Sequence, residues 1–297
     1  MNTTFNMGRQ FVLIIILVAF SLQGFCQEQP RYFRITSSHT SFPDTGRASG
    51  HLYDSVMYST AEHYLDSSVL MVVPAGLKAG SKVNLVFWFH GWQNNIDTAL
   101  VKYGLARQFE ASKVNAVLVL AETARNAPDS YGGKLEQLGT FALLVKDVLH
   151  KLVEKRVIPG KCSAGHVLLA GHSGAYRVMA GILQNGNIPI DEVILFDALY
   201  ANTNTFINWI ATDKDHRFID LYTDHGGTLE ETQRMRQQLI DMKIRADSTE
   251  ESQVTDGMLK ASRVLFIHTP HQHDFIIQHP DNFLLFLKNT QFLKRLK

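Results

Sequence analysis

Short apolar runs alternate with longer stretches of mixed apolar and polar residues along most of the chain. Runs of about five to seven residues with few polar positions are typical of strands buried on both faces of a parallel sheet. The stretches between them repeat apolar residues at helical spacing. The pattern predicts an α/β fold with strands near residues 68–73, 83–89, 115–121, 166–172, 192–196, 217–223 and 263–268.

Helices are predicted between these strands, near residues 98–112, 135–154, 175–184, 203–211, 229–244 and 282–296. Helical crossovers between successive strands favour a mostly parallel sheet covered on both faces. We therefore expect a three-layer αβα sandwich. The polar residues 245–257 are predicted to form a loop or a short helix.

The first residues follow a different pattern. Arg9 precedes the apolar block 11–20, and the small residues Gly24 and Cys26 stand before Gln27, as in a secretory signal peptide. The block is too short to span a bilayer comfortably. We expect a signal peptide over 1–26, a polar segment over 27–60 and one folded domain over 61–297. The protein is expected to be exported, periplasmic or secreted, with no membrane span in its mature form.

A lipid anchor on Cys26 is a less favoured alternative, because the bulky Phe25 precedes it where a bacterial lipoprotein signal has a small residue. Only Cys162 remains after the leader, so no disulfide framework is expected. A formal net charge of +1, without basic runs interleaved with aromatics, gives no reason to expect a nucleic-acid partner.

The strongest chemical signal is Ser173, in Gly171-His172-Ser173-Gly174-Ala175, between a predicted strand and a predicted helix. A serine on such a sharp turn presents its hydroxyl as a nucleophile, and small neighbours allow the close backbone contacts that the turn requires. An ordinary strand-to-helix turn with a serine cap is the alternative.

His90-Gly91-Trp92 follows the strand that precedes the first long helix, where hydrolases with this arrangement place a backbone donor for an oxyanion. The two donors are assigned to the N–H groups of Trp92 and Gly174. His273 follows the last strand and is suited to act as the general base.

The order Ser173, an acid, then His273 resembles the α/β-hydrolase superfamily over nearly all of the mature chain. His273 also precedes Pro280 by the seven residues found in many members, whereas His271 does not. The resemblance implies a serine hydrolase that cleaves an ester or amide bond through an acyl-enzyme, without a cofactor. A carboxylic ester is the favoured substrate, and an amidase or peptidase activity stays open.

Two aspartates are candidates for the acid that orients His273. Asp197 ends the strand after the nucleophile helix, the position that the acid has in lipases resembling pancreatic lipase. Asp224 ends the next strand, which is the commoner position in the superfamily. Either aspartate could instead cap a turn. We favour Asp197, because it follows the more uniformly apolar strand.

The loop 122–134 leaves the sheet at the edge where open α/β sheets bind ligands. A simple surface loop is an equally good interpretation. The absence of a long lid insertion favours a soluble or polymeric ester or amide as substrate. The candidate substrate-binding residues are Arg125, Asp129, Tyr131 and Lys134 of this loop, together with His90, Gly91 and His172.

Two further functions are alternatives. A non-catalytic binding protein with the same fold is one, although the nucleophile, base and acid candidates are all present. A zinc hydrolase is the other, since His268, His271, His273 and Asp274 fall within seven residues, but without helical His-Glu-x-x-His spacing. His39, Arg47, His51 and His63 have irregular spacings, and we expect no metal site there.

Overall fold

The computed structural model describes residues 29–297, so the expected signal peptide lies outside the described residues. Strands and helices alternate along most of this part of the chain. The strands are β1 (Arg31–Thr36), β2 (His51–Tyr53), β3 (Val56–Tyr58), β4 (Ser68–Val73), β5 (Lys82–Phe89), β6 (Val117–Ala121), β7 (Ser163–His172), β8 (Glu192–Phe196), β9 (Arg217–Thr223), β10 (Asp247–Glu250) and β11 (Val264–Thr269).

The helices lie mainly in the connections between strands. They are α1 (Thr60–His63), α2 (Ile96–Lys102), α3 (Leu105–Ser112), α4 (Thr140–Glu154), α5 (Tyr176–Asn185), α6 (Thr203–Thr212), α7 (Leu229–Asp241), α8 (Asp256–Ala261) and α9 (Asn282–Lys288).

Nine strands form one sheet in the order β1-β4-β6-β5-β7-β8-β9-β11-β10. The pairs β1·β4 and β4·β6 are antiparallel, and the other neighbours in this sheet are parallel. Helices α4 to α7 pack on one face, and α2, α3, α8 and α9 pack on the other. The predicted αβα sandwich with a mostly parallel sheet is confirmed, and each of the predicted strands is present.

The central strands are buried on both faces because their side chains alternate between the two helix layers. In β5, Phe87 joins the core under α4, whereas Trp88 joins the core under α9. Within residues 29–297, no helix combines the length and the apolar character needed to cross a membrane.

The structure differs from the predicted elements where polar residues form strands. The segment expected to be only polar contributes β1 to the edge of the sheet, so the sheet begins before residue 61. The polar segment 245–257 contributes β10 to the opposite edge. Edge strands have one side open to solvent, and their sequences therefore lack the apolar signal of central strands.

Several predicted helices have different bounds, and two of them differ most. The helix expected over 98–112 divides into α2 and α3 at Gly104, which has φ 58°. The helix expected over 282–296 ends at Lys288 as α9. The chain after α9 folds back, so that Asn115 N–H donates to the Lys294 carbonyl at 2.8 Å and Leu296 N–H donates to the Lys113 carbonyl.

Candidate active site

Ser173 lies on a sharp turn at the carboxyl end of β7, at the start of a short 3-10 turn that leads into α5. Its φ of 55° is in the left-handed region, which a residue with a side chain rarely adopts. A Cβ added to Gly171 would lie 2.6 Å from the Ala175 Cβ. The turn is thus so tight that only glycine fits beneath it, as expected for a serine held away from the core.

The turn His90-Gly91-Trp92 at the end of β5 lies directly against Ser173. A Cβ added to Gly91 would be 2.5 Å from the Ser173 Cβ and 3.1 Å from the Gly174 nitrogen. Gly174 is in the first turn of a helical segment, where N–H groups have no acceptor within the helix. The backbone of Gly91, which directly precedes Trp92, therefore lies against Ser173 and Gly174.

The order of the strands in the sheet explains why the turns after β5 and β7 lie side by side. The chain passes from β5 to β6 on one side and then crosses back to β7 on the other side of β5. Ligands of open α/β sheets bind at such a reversal, outside the carboxyl ends of the strands.

Asp197 and His273 form a close pair beside this turn. The Nδ1 atom of His273 lies 2.5 Å from Asp197 Oδ2. Since a carboxylate only accepts hydrogen bonds, Nδ1 carries the proton and Nε2 is left as the basic nitrogen. Asp197 is fully buried, and its other oxygen accepts hydrogen bonds from the hydroxyl of Thr228 and from the Thr223 N–H at 3.4 Å.

Asp224 lies elsewhere. It is exposed, and its Oδ1 lies 3.1 Å from His268 Nε2, while His268 Nδ1 lies 2.8 Å from Glu250 Oε2. Burial opposes protonation of His268, but the hydrogen bonds with Glu250 and Asp224 outweigh it and raise the pKa of His268. Of the two candidate acids, the structure brings Asp197 to His273.

The three histidines of the alternative zinc site have separate partners. His268 pairs with Asp224 and Glu250, His271 lies 3.4 Å from Glu251, and His273 pairs with Asp197. In the part of the chain that the structure describes, no three histidine, cysteine or acidic side chains are arranged to hold a metal ion. The residues present therefore do not fit a zinc centre.

His90 is buried beneath its turn and does not line a cavity beside Ser173. Its Nε2 atom lies 2.6 Å from Glu122 Oε1, and Glu122 also accepts a hydrogen bond from the Ile96 N–H at the start of α2. The pair fixes the turn that carries Gly91 and Trp92. The sequence predicted His90 to be a substrate-binding residue, but this residue is only 3% exposed.

His172 is also buried, under His273. Its Nδ1 accepts a hydrogen bond from the Tyr103 hydroxyl, and its Nε2–H donates to the His273 carbonyl, both at 3.1 Å. Burial, with a smaller contribution from His273, lowers the pKa of His172 to about 3. His172 is thus a neutral support for the His273 loop.

The predicted substrate-binding residues of the loop 122–134 contact residues that precede β4 and not Ser173. Asp129 accepts two hydrogen bonds from Arg47, at 2.6 and 3.0 Å, and Lys134 donates to the Ser38 carbonyl at 2.5 Å. Arg125 pairs with Asp66 at 2.9 Å. These charged groups already have protein partners, so they hold the loop in place.

Tyr131 belongs to the same network. Its ring lies between the guanidinium groups of Arg47 and Arg177, at 4.6 and 4.9 Å, and its hydroxyl donates to Asp44 at 2.7 Å. The ring is thus enclosed by the N-terminal segment and α5.

Two cavities meet at Ser173. The aromatic cavity has a volume of about 300 Å³ and is lined by Trp92, Ser130, Ser173, Gly174, Tyr176 and Tyr200. The polar cavity has a volume of about 280 Å³, shares Trp92 and Ser173 with the aromatic cavity, and is also lined by Gln93, Asn94, Thr98, Lys102, Tyr103, His172, His273 and Asp274.

Tyr200 and Ser130 are site residues that sequence reasoning missed. Tyr200 donates from its hydroxyl to the Gly226 carbonyl at 2.5 Å and has the Ser173 side chain as another hydrogen-bond partner. Burial raises the pKa of Tyr200. Ser130 accepts a hydrogen bond from Trp92 Nε1 at 2.7 Å. No motif marks either residue in the sequence.

Comparison with known proteins bears on the fold. No protein-family model and no curated protein matches the sequence. Among solved structures, FphF, a fluorophosphonate-binding serine hydrolase of Staphylococcus aureus with substrate bound, is similar at 10% identity and a TM-score of 0.51, over 89% of this chain and 100% of that one. The chain has the α/β-hydrolase fold. A ferulic acid esterase is similar at 11% identity and a TM-score of 0.51, over 88% of this chain and 99% of that one.

The α/β-hydrolase fold, which the order Ser173, an acid and His273 in the sequence predicted, is therefore confirmed. The fold includes the nine-stranded sheet and the helices that pack on both faces of the sheet.

The buried neutral His172 predicts a pH dependence of stability. Between pH 6.5 and about 3, the unfolded chain takes up a proton at this residue that the folded protein does not. The contribution of neutral His172 to stability is therefore present above pH 6.5 and is lost as the pH falls towards 3. Over this range the free energy of unfolding falls by up to about 1.4 kcal/mol per pH unit.

Urea unfolding of the parent and of His172→Asn, followed from pH 7 to pH 4, measures this effect. The free energy of unfolding should fall less steeply with acid in His172→Asn, whereas the exposed control His225→Asn should keep the parent slope. Equal slopes in all three proteins would show that His172 takes up its proton at the same pH in the folded and the unfolded chain, which would contradict the lowered pKa.

Proposed function

We propose that this protein is a serine hydrolase that cleaves a carboxylic ester through an acyl-enzyme at Ser173. The observation that carries the proposal is the pairing of His273 with the buried Asp197, with His273 and Ser173 lining the same cavity. The similarity in fold to a serine hydrolase and to a ferulic acid esterase supports it. The site needs no cofactor for this chemistry.

In the proposed mechanism, His273 Nε2 takes the proton of the Ser173 hydroxyl as its oxygen attacks the acyl carbon. The carbonyl oxygen becomes an oxyanion, which the N–H groups of Trp92 and Gly174 stabilise. The imidazolium is held by Asp197 and gives its proton to the leaving alcohol. Water, deprotonated by His273, then attacks the acyl-enzyme, and the acid and free Ser173 are released.

Tyr200 supports this arrangement in the resting protein. Its hydroxyl contacts Ser173 and holds the carbonyl of Gly226. A Cβ on Gly226 would lie only 1.5 Å from Asp197 Oδ2. Tyr200 thereby links the nucleophile to the turn that packs against the acid.

Ser173→Ala tests the nucleophile. The parent should react with a fluorophosphonate probe and hydrolyse p-nitrophenyl acetate, whereas Ser173→Ala should do neither and should unfold at the parent temperature, because the hydroxyl lies outside the core. Ser248→Ala, an exposed serine on β10, serves as the control and should be labelled like the parent. If the parent takes no label but still hydrolyses the ester, and EDTA abolishes this hydrolysis, metal chemistry would be favoured. A parent with neither label nor turnover would favour a binding protein.

Asp197→Asn and Asp224→Asn distinguish the two candidate acids. Loss of the carboxylate that holds the His273 tautomer should lower kcat by a factor on the order of 10⁴. Asp224→Asn should stay within a few-fold of the parent, since Asp224 contacts His268 at the surface. Steady-state kinetics on one ester measures kcat for each variant, and circular dichroism verifies that each variant is folded. A loss of activity in Asp224→Asn alone would reverse the assignment.

We also propose that the protein is exported by cleavage after Cys26, on the sequence pattern of residues 1–26. Intact mass of the protein recovered from the exporting host should correspond to a chain that starts at Gln27. A mass that includes a diacylglycerol group on Cys26 would instead show a lipid anchor, and a full-length mass would contradict export by this route.

A further inference from the structure

The two cavities at Ser173 differ in the catalytic group that they contain. His273 lines the polar cavity and is absent from the lining of the aromatic cavity. Under the proposed function, His273 must deliver a proton to the oxygen of the leaving alcohol. The alcohol therefore leaves through the polar cavity, and the acyl group occupies the aromatic cavity.

Three aromatic side chains, Trp92, Tyr176 and Tyr200, line the aromatic cavity. The Trp92 Nε1–H is already donated to Ser130 at 2.7 Å, and the Tyr200 hydroxyl is already donated to the Gly226 carbonyl at 2.5 Å. The Tyr176 and Tyr200 rings lie with their centroids 6.0 Å apart. Because the Trp92 indole and the Tyr200 hydroxyl already donate to protein acceptors, this part of the lining favours an apolar group, and flat aromatic groups gain from ring contacts.

Its size limits the acyl group further. About 300 Å³ is at the lower end of the volumes found for small-molecule sites. A benzoyl group or a short acyl chain fits such a volume, whereas a long fatty acyl chain would extend beyond it.

The polar cavity has the opposite character. Lys102 and Asp274 form an ion pair at 3.0 Å in its wall, and Asn94, Thr98 and Gln93 add amide and hydroxyl groups. A hydrocarbon alcohol would remove these groups from water without replacing their hydrogen bonds, which costs binding energy. An alcohol with several hydroxyl groups would replace them.

We propose that the substrate is an ester between a small apolar acid, aromatic or short-chain, and a polyhydroxylated alcohol. This inference rests on the proposed serine-hydrolase function. It assigns Tyr176 and Lys102 as specificity-determining residues, one on each side of the reacting carbonyl.

Two matched pairs of esters test the assignment through kcat/KM. Glyceryl monobenzoate should be hydrolysed about tenfold more efficiently than hexyl benzoate, a difference of about 1.4 kcal/mol, the size expected when one or two polar groups lose their partners. Methyl benzoate should be preferred to methyl decanoate. Equal or reversed preference in either pair would overturn the inference.

Variants locate each preference in its cavity. Lys102→Met should bring the glyceryl-to-hexyl ratio close to one while keeping the acyl preference, and Tyr176→Ala should raise the decanoate-to-benzoate ratio while keeping the alcohol preference. Val101→Ala, on the exposed side of α2 next to Lys102, is the control and should keep both ratios. Ratios that change together, or not at all, would contradict the assignment of the two cavities.

A failure of the proposed function has a different signature. A parent that takes no fluorophosphonate label and hydrolyses none of the four esters would remove the serine-hydrolase mechanism and this inference with it. A labelled parent with the wrong ester preference would remove the inference alone.

Discussion

The site depends on close backbone contacts at two glycines, Gly91 and Gly226, where there is no room for a side chain. Gly91 lies so close to Ser173 that a Cβ would come within 2.5 Å of the serine Cβ, and Gly226 lies still closer to the Asp197 carboxylate. These two contacts fix the distance of the turn His90-Gly91-Trp92 from Ser173 and the position of Asp197. Larger residues at either glycine would require the loops to move apart, so the chemistry and the packing share one geometric requirement.

Buried charges hold the surrounding loops. Arg47 contacts both oxygens of Asp129, and the pair is largely buried, so most of the water that would otherwise solvate the two charges is excluded. Burial opposes ionisation of Asp129, but the hydrogen bonds from Arg47 and the Tyr131 N–H lower its pKa overall. This contact joins residues 82 positions apart and places the N-terminal segment over the loop that carries Ser130.

The sequence predicted the parts of the structure that obey local rules. Central strands are recognisable because both faces are buried, and Ser173 is recognisable because its turn requires glycine on either side. Strands β1 and β10 alternate between exposed and partly buried residues and carry no such pattern. Contacts between distant residues, such as Arg47 with Asp129, depend on the tertiary fold alone and leave no local signal.

The edge strand β1 also fixes where the preceding residues leave the domain. It runs antiparallel to β4, which runs antiparallel to β6, so β1 points in the same direction as the parallel strands. Arg31 therefore lies at the amino edge of the sheet, on the far side of the molecule from Ser173. Anything attached to the chain just before Arg31 would therefore be separated from Ser173 by the full length of the sheet's strands.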